Sequence, residues 1–165
     1  MNNLYTAEEK AAAVTARIKE YNKAASILPE LVKVLKAFDG KVYNCRLEKA
    51  LQEALKIRVY VKKTDYNIDI HYYSEDNQWI TLACAKLADA LKDGKRINSA
   101  AFIEDAEKRR NEFLKRACRI EVQAPQVEEI KKRDKQLEKI LDALTGSLDY
   151  DLRDIYGIHY QIRNY

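Results

Sequence analysis

The sequence predicts an α+β fold that is mostly helical and holds one short antiparallel sheet. Only four of its 165 residues are glycine and two are proline, which leaves few of the tight turns that an all-β fold needs. Apolar residues recur at helical spacing in the first and last parts of the chain, whereas they alternate with polar residues only between Ile57 and Cys84. This length is typical of a single domain. We divide that domain, residues 1–165, into a helical, a sheet, a second helical and a tyrosine-rich segment: 1–56, 57–84, 85–146 and 147–165.

The first segment is expected to be helical throughout. Thr6 and Glu9 form a capping box, so a helix begins just after Thr6. Pro29 lacks a backbone N–H, so it marks either the first turn of a second helix or a kink in one long helix. Asn44 can cap a further helix, whose leucines lie at helical spacing.

A three-stranded antiparallel meander is expected next. The first strand begins at Ile57, the second covers residues 67–73, and the third begins at Trp79. Strict alternation places Leu82 and Cys84 on the inner face of the third strand. The opposite face, the outer face, then carries a mixture of aromatic and polar side chains: Arg58, Tyr60, Lys62, Asp69, His71, Tyr73, Trp79 and Thr81.

A long helical hairpin is predicted for residues 98–144. Ser99 or Asn98 can cap a helix that runs through Arg119, and Pro125 suits the first turn of the next one. The second helix carries apolar residues at alternating spacings of three and four, as in a coiled coil. This seam can pack on the first helix or on a second chain. We expect a homodimer, because two long amphipathic helices offer more apolar surface than a small sheet can cover.

Two shorter segments complete the chain. Residues 86–91 are expected to be helical, with Gly94 as the C-cap. The tail carries four tyrosines and a predicted last strand around residues 158–162. Three acids of the tail suit the first turn of a short helix better than a calcium loop: Asp149, Asp151 and Asp154.

The chain is rich in tyrosine, with 11 tyrosines against three phenylalanines, and this excess indicates a binding surface. A phenol costs more to bury than a phenyl, whereas at an interface it adds a hydrogen-bonding tip to a large, stiff ring. Packing at the rim of the core is the alternative explanation for about half of them. The predicted binding residues of the outer face are Arg58, Tyr60, Lys62, Tyr73 and Trp79.

The densest basic segment lies on the predicted long helix. The five residues chosen from it are all long cations, with no Asn, Gln or aromatic side chain in the set, so they are expected to contact phosphates rather than bases. Acids four positions before three of these cations favour the alternative of an ion-paired, solvated helix face. The predicted phosphate contacts are Lys108, Arg109, Lys115, Arg116 and Arg119.

Enzyme chemistry has little support in the sequence. Asp69 and His71 are the only pair that suggests a metal-dependent nuclease, and no phosphate loop, dinucleotide fingerprint or nucleophile motif is present. The two histidines and three cysteines lack the spacing of zinc ligands, so we predict no metal site and no cofactor. Each cysteine is near an apolar stripe and is expected in the core. The odd cysteine number and the absence of a signal or membrane segment suit the cytoplasm.

Residues 37–47 read AFDGKVYNCRL, and Ala50 and Leu51 follow. This phrase resembles a stretch of small uncharacterised proteins of Gram-positive phages and mobile elements. Some proteins of that setting block host defence by binding CRISPR effectors or defence signals, so the resemblance implies an anti-CRISPR or related inhibitor. We predict a non-catalytic interaction protein that binds a protein or nucleoprotein partner. The alternatives are a small nucleic-acid-binding protein and a metal-dependent nuclease or nucleotide-binding protein.

Overall fold

A computed structural model describes residues 6–38, 44–75, 78–92, 96–133 and 148–157, and it confirms the α+β fold. The helices are α1 (Ala7–Ala37), α2 (Asn44–Leu55), α3 (Leu87–Ala90), α4 (Ser99–Arg133) and α5 (Tyr150–Tyr156). The strands are β1 (Val59–Lys63), β2 (Asn67–Tyr73), β3 (Trp79–Lys86), β4 (Leu91–Lys92) and β5 (Arg96–Ile97). None of the helices in these ranges has the length and apolarity that a membrane span requires.

The chain divides into two compact units, and both α1 and α4 contribute residues to each. The terminal unit consists of Met1–Tyr21 and Leu114–Tyr165, and the sheet unit consists of Asn22–Phe113. The core of the sheet unit is formed by the second half of α1, by α2, by the inner face of the sheet and by the first half of α4. Its largest fully buried side chains are Leu28, Leu31, Leu35, Leu47, Leu51, Ile68, Ile70, Tyr72, Leu82 and Phe102.

The start of α1 follows the predicted capping box. The Thr6 backbone N–H donates to Glu9 Oε2 at 2.6 Å, and the Glu9 N–H donates to Thr6 Oγ1 at 3.1 Å. Pro29 lies inside α1, so one long helix rather than two is present. Leu28 and Leu31, on either side of Pro29, are both buried, so one face of α1 stays in the core across the proline.

The predicted meander is confirmed, with strand order β1-β2-β3 and antiparallel pairing throughout. β2 has the predicted bounds and alternates between buried and half-buried residues along its whole length. The register fixes the rows of the outer face. Arg58 precedes the pair Val59 and Tyr72, while Tyr73 pairs with Trp79 and His71 pairs with Tyr60.

A β-bulge in β3 changes the predicted pattern of faces. Ile70 pairs with Ala83 and His71 pairs with Thr81, so Leu82 is an extra residue between two ladder positions. Leu82 and Ala83 are both fully buried. The predicted placement of Cys84 on the same face as Leu82 is therefore wrong: Cys84 pairs with Asp69 on the outer face.

Side chains of the neighbouring helices cap both edges of the sheet. At the β1 edge, Gln52 Nε2 donates to the Val59 carbonyl at 2.6 Å, and Glu48 Oε2 accepts from the Val61 N–H at 2.9 Å. At the β3 edge, Asp105 Oδ2 accepts from the Cys84 N–H at 2.7 Å. These bonds occupy backbone groups that an unprotected edge offers to another strand. Side chains of α2 and α4 thus cover part of both edges of the sheet.

The segment after the meander is less helical than predicted. Lys86 still belongs to β3, and α3 is a single turn. β4 and β5 then pair as a short antiparallel ribbon, with Leu91 opposite Ile97. The predicted cap Gly94 and the predicted strand at 158–162 lie outside the described residues.

The break that was predicted between Arg119 and Pro125 is absent, because α4 continues through Pro125 to Arg133. An interior proline costs a helix about 3 kcal/mol. The apolar stripe continues without interruption across this point, and Ile120, Ala124 and Val127 are all buried. The free energy gained by burying this stripe offsets the cost of the interior proline. The rest of the predicted second arm, residues 134–144, lies outside the described residues, and the homodimer through its seam stays a prediction.

The predicted short helix of the tail is α5. Asp149 caps its N-terminus by accepting from the Asp151 N–H at 3.1 Å, and Asp151 lies in the first turn. Asp154 lies further along, and Gly157 ends the helix in the left-handed conformation with φ 64°. Leu152 is fully buried, so α5 contributes to the core of the terminal unit.

Candidate binding surface

Four rings of the outer face form a cluster around Trp79. The ring centroid of Trp79 lies 4.7 Å from that of Tyr73, 5.8 Å from that of Tyr60 and 6.4 Å from that of His71. The strand register produces this grouping, because Tyr73 pairs directly with Trp79 and Tyr60 pairs with His71. We call Tyr60, His71, Tyr73 and Trp79 the aromatic cluster.

Arg58 lies over the aromatic cluster. Its guanidinium carbon is 4.9 Å from the centroid of Tyr73 and 5.8 Å from that of Trp79, which is the range of cation–π contacts. Within the described parts of the chain, Arg58 forms no ion pair with a carboxylate. The rings therefore hold the side chain while its charge is available to an external anion.

The aromatic cluster is only partly covered. Trp79 is 47% exposed and Tyr60 is 46% exposed. Among the described residues of the sheet unit, the exposed large hydrophobic side chains are all aromatic: Tyr60, Tyr66 and Trp79. This composition confirms the predicted mixed outer face, and it resembles the Trp, Tyr and Arg content of interaction hot spots.

His71 lies in the middle of the outer face, and its surroundings disfavour the charged imidazolium. Burial lowers its pKa below 6.5, and the positive charges of Lys62 and Arg109 act in the same direction against the attraction of Asp69. Thr81 Oγ1 lies 3.1 Å from His71 Nδ1, whereas Asp69 Oδ2 is 4.0 Å from Nε2. This histidine is held by a hydroxyl rather than paired tightly with the carboxylate.

Cys84 lies opposite Asp69 on the outer face but is not an activated nucleophile. Burial raises its pKa to about 11, and a hydrogen bond to Asp69 together with the charges of Asp69 and Asp105 adds to this effect. A nucleophilic cysteine requires the opposite shift. In the parts of the chain that the structure describes, no three His, Cys, Asp or Glu side chains are grouped so as to hold a metal ion.

The two described free thiols are expected to differ strongly in reactivity. Cys118 is exposed on α4, which corrects the expectation of a core position, while Cys84 is half-buried. At pH 8 a thiol with a pKa of about 11 is ionised in roughly one molecule in a thousand. We expect iodoacetamide to modify Cys118 at least about tenfold faster, as measured by peptide mass spectrometry. Equal rates for the two sites in the folded protein would contradict this assignment.

The predicted phosphate contacts of α4 have different surroundings. In the sheet unit, Lys108 is exposed, and Arg109 Nε is 2.5 Å from Asp105 Oδ2. In the terminal unit, Lys115 and Arg119 are exposed. The predicted i, i+4 pair between Asp105 and Arg109 is thus present.

Arg116 is occupied inside the terminal unit. Its Nε and Nη2 donate to the two carboxylate oxygens of Asp149 at 3.1 and 3.0 Å, and Nη2 also reaches Asp151 Oδ2 at 3.0 Å. The guanidinium carbon lies 4.5 Å from the ring centroid of Tyr21. A phosphate at this position would compete with two carboxylates.

Further bonds connect the same carboxylates to both long helices. The Tyr21 hydroxyl donates to Asp151 Oδ2, Arg17 Nε lies 3.7 Å from Asp151 Oδ1, and Gln123 Oε1 accepts from the Asp149 N–H at 3.0 Å. Burial raises the pKa of Tyr21 far above 10, and its bond to Asp151 adds to this shift. We call these contacts the Arg116 network, and they fix α5 to the terminal parts of α1 and α4.

Comparisons with known proteins identify no relative. No protein family, no curated protein and no solved structure matches the chain.

Proposed function

We propose that this is a non-catalytic interaction protein that binds a nucleoprotein through the outer face of its sheet. The observation that carries the proposal is the stack of Arg58 on Tyr73 and Trp79, with Trp79 itself half exposed. Stiff aromatic rings and a preorganised guanidinium lose little conformational freedom on binding. Helix side chains cap the sheet edges, so a partner is expected to dock on the face.

The protonation states of the outer face support binding over catalysis. A general base or nucleophile needs a pKa that is tuned toward the working pH. The pKa of Cys84 is shifted to about 11, and that of His71 is shifted below its ordinary value. The Cys84 thiol is therefore protonated at pH 7 and is not poised to react, which favours a surface that binds.

The proposal also includes the biological origin of the protein and the kind of partner it binds. The resemblance of residues 37–47 supports a phage or mobile-element protein that inhibits host defence, with a CRISPR effector as one nucleoprotein of suitable kind. The cytoplasm is the compartment in which such a partner is found.

We expect Trp79→Ala to weaken partner binding by tenfold or more. The change removes the ring that contacts Tyr60, His71 and Tyr73, and central aromatic residues commonly contribute about 2 kcal/mol or more at interfaces. Immobilised wild-type and variant proteins are compared for the species that they retain from bacterial lysate, with amounts measured by gel densitometry and mass spectrometry.

Tyr150→Ala provides the control, because Tyr150 is 73% exposed and belongs to the terminal unit. A species retained equally by Trp79→Ala and wild type would contradict the proposal. Asp69→Ala together with His71→Ala tests the nuclease alternative. Hydrolysis of nucleic acid that disappears in this double variant, with binding intact, would favour the enzyme.

A further inference from the structure

A second feature of the sheet unit lies at the other end of β2 from the aromatic cluster. It is an open cleft of about 880 Å³, within the size range of ligand sites. The turn between β1 and β2 forms one side, and the end of β3 with α3 and β4 forms the other. The lining residues are Lys63, Asp65, Tyr66, Asn67, Lys86, Leu87, Ala88 and Leu91.

Like the aromatic cluster, the cleft combines an exposed aromatic ring with positively charged side chains. Tyr66 is 81% exposed, and Lys63 and Lys86 line the same space. The pairing of Asn67 with Lys86 places this cleft at the start of β2, whereas the pairing of Tyr73 with Trp79 places the aromatic cluster at its end. Six residue steps along a strand span about 20 Å.

Charge along this path is positive. Arg58, Lys62 and Lys86 lie at outer-face positions, and Lys63, which pairs with the buried Ile68, lines the cleft. Against these four cations stand two carboxylates, Asp65 and Asp69, which gives a net charge of +2. His71 is left out of this count because burial lowers its pKa and so disfavours its charged form. Cations therefore lie beside the exposed rings at both ends of β2.

The exposed apolar groups favour nucleobases over an apolar protein surface. All exposed large hydrophobic side chains among the described residues of the sheet unit are aromatic, and every base has a π-face that can stack on such a ring. Aliphatic anchors, which a protein partner would also use, are absent from that set. A duplex keeps its bases stacked on each other, so exposed rings select single strands.

We propose that the outer face binds single-stranded nucleic acid along β2, from the aromatic cluster to the cleft. Bases stack on Trp79 and Tyr66 at the two ends, and the four cations contact phosphates. A path of about 20 Å holds roughly three or four nucleotides. This inference rests on the proposed function of the outer face, and it names the part of the nucleoprotein that this face contacts.

Trp79 provides the measurement, since it is the only tryptophan of the chain. Titration with oligo(dT) of eight nucleotides and the matching oligo(U) is expected to quench its fluorescence at 50 mM salt. Four neutralised phosphates give a log–log salt slope of about −2.8, so the affinity should fall about 50-fold between 50 and 200 mM salt. A duplex of the same length should bind at least about tenfold more weakly.

Variants separate stacking from charge, with anisotropy of a labelled oligonucleotide as the readout. Trp79→Ala should lose about 5–150-fold in affinity, whereas Trp79→Phe should stay within a few-fold of wild type. Lys63→Gln with Lys86→Gln should halve the salt slope to about −1.4. Lys33→Gln is the control, because Lys33 is 73% exposed and lies on α1 outside this path.

Three results would overturn the inference: no binding of any oligonucleotide at 50 mM salt, equal binding of duplex and single strand, or binding that Trp79→Ala leaves unchanged. Circular dichroism of each variant verifies that it is folded. Suppose that no oligonucleotide binds, while a lysate species is retained by the wild type and not by Trp79→Ala. The outer face then binds protein, and only the present inference is wrong. If neither binding depends on Trp79, the proposed function falls with it.

Discussion

Replacing Arg116 with methionine is expected to lower the free energy of unfolding by about 2–4 kcal/mol. The change leaves Asp149, whose side chain is only 2% exposed, as a buried carboxylate without its bidentate partner. It also removes the cation that lies over the ring of Tyr21. This loss is smaller than the roughly 3–5 kcal/mol of fully buried ion pairs, because the Arg116 side chain is 27% exposed.

Thermal unfolding is the measurement, and for a chain of this size the loss corresponds to a fall in Tm of about 5–15 °C. Arg119→Met is the matched control, since Arg119 is an exposed arginine on the same part of α4. Adding Asp149→Asn to Arg116→Met should recover part of the loss, because asparagine can still cap α5 while the unpaired charge is removed. Equal Tm values for Arg116→Met and Arg119→Met would show that the Arg116 network contributes nothing to stability.

Replacing Asp105 with alanine is expected to destabilise the protein by about 2 kcal/mol. The carboxylate accepts from the Cys84 N–H at 2.7 Å and from Arg109 Nε at 2.5 Å, and hydrogen bonds to charged groups contribute about 1.5–3 kcal/mol. The substitution leaves a β3 backbone donor and a guanidinium without this acceptor. Both losses occur at one edge of the sheet.

Hydrogen exchange at the Cys84 amide tests this role directly, because a purely electrostatic contribution of Asp105 would not expose that amide. Its exchange should accelerate about tenfold or more in Asp105→Ala and less in Asp105→Asn, which retains an oxygen acceptor. Glu104→Ala, at the adjacent exposed position of α4, should leave the amide protected. Unchanged protection in Asp105→Ala would show that the carboxylate does not cap the edge.

Local patterns predicted the regular parts of the fold. The capping box of Thr6 and Glu9 and the alternation of β2 depend on neighbours within a few residues, and both are present as predicted. The prediction of a break at Pro125 was wrong, and at Pro29 the alternative of one long helix was right, because the rule for proline considers one lost hydrogen bond and not the packing of the helix. Pro29 and Pro125 both lie within long helices whose buried faces continue past them.

The candidate site was only partly predictable, for the same reason. Alternation places Arg58, Tyr73 and Trp79 on one face, but only the register between strands shows that these three side chains stack. The bulge leaves no local signal, because Leu82 and Ala83 are both apolar. Arg116 was predicted to contact phosphate, or in the alternative to pair with an acid four residues earlier, whereas its partners are 33 and 35 residues distant in the chain.

The bulge at Leu82 also determines how related sequences should be aligned. Removing this one residue would leave Thr81 facing outward, Ala83 inward and Cys84 outward, which is ordinary alternation against the unchanged β2. A homologue whose third strand is one residue shorter would therefore keep the same outer face. In such an alignment the gap belongs at Leu82, because a gap placed in the turn before Trp79 would shift Trp79, Ile80 and Thr81 by one position and exchange their inward and outward assignments.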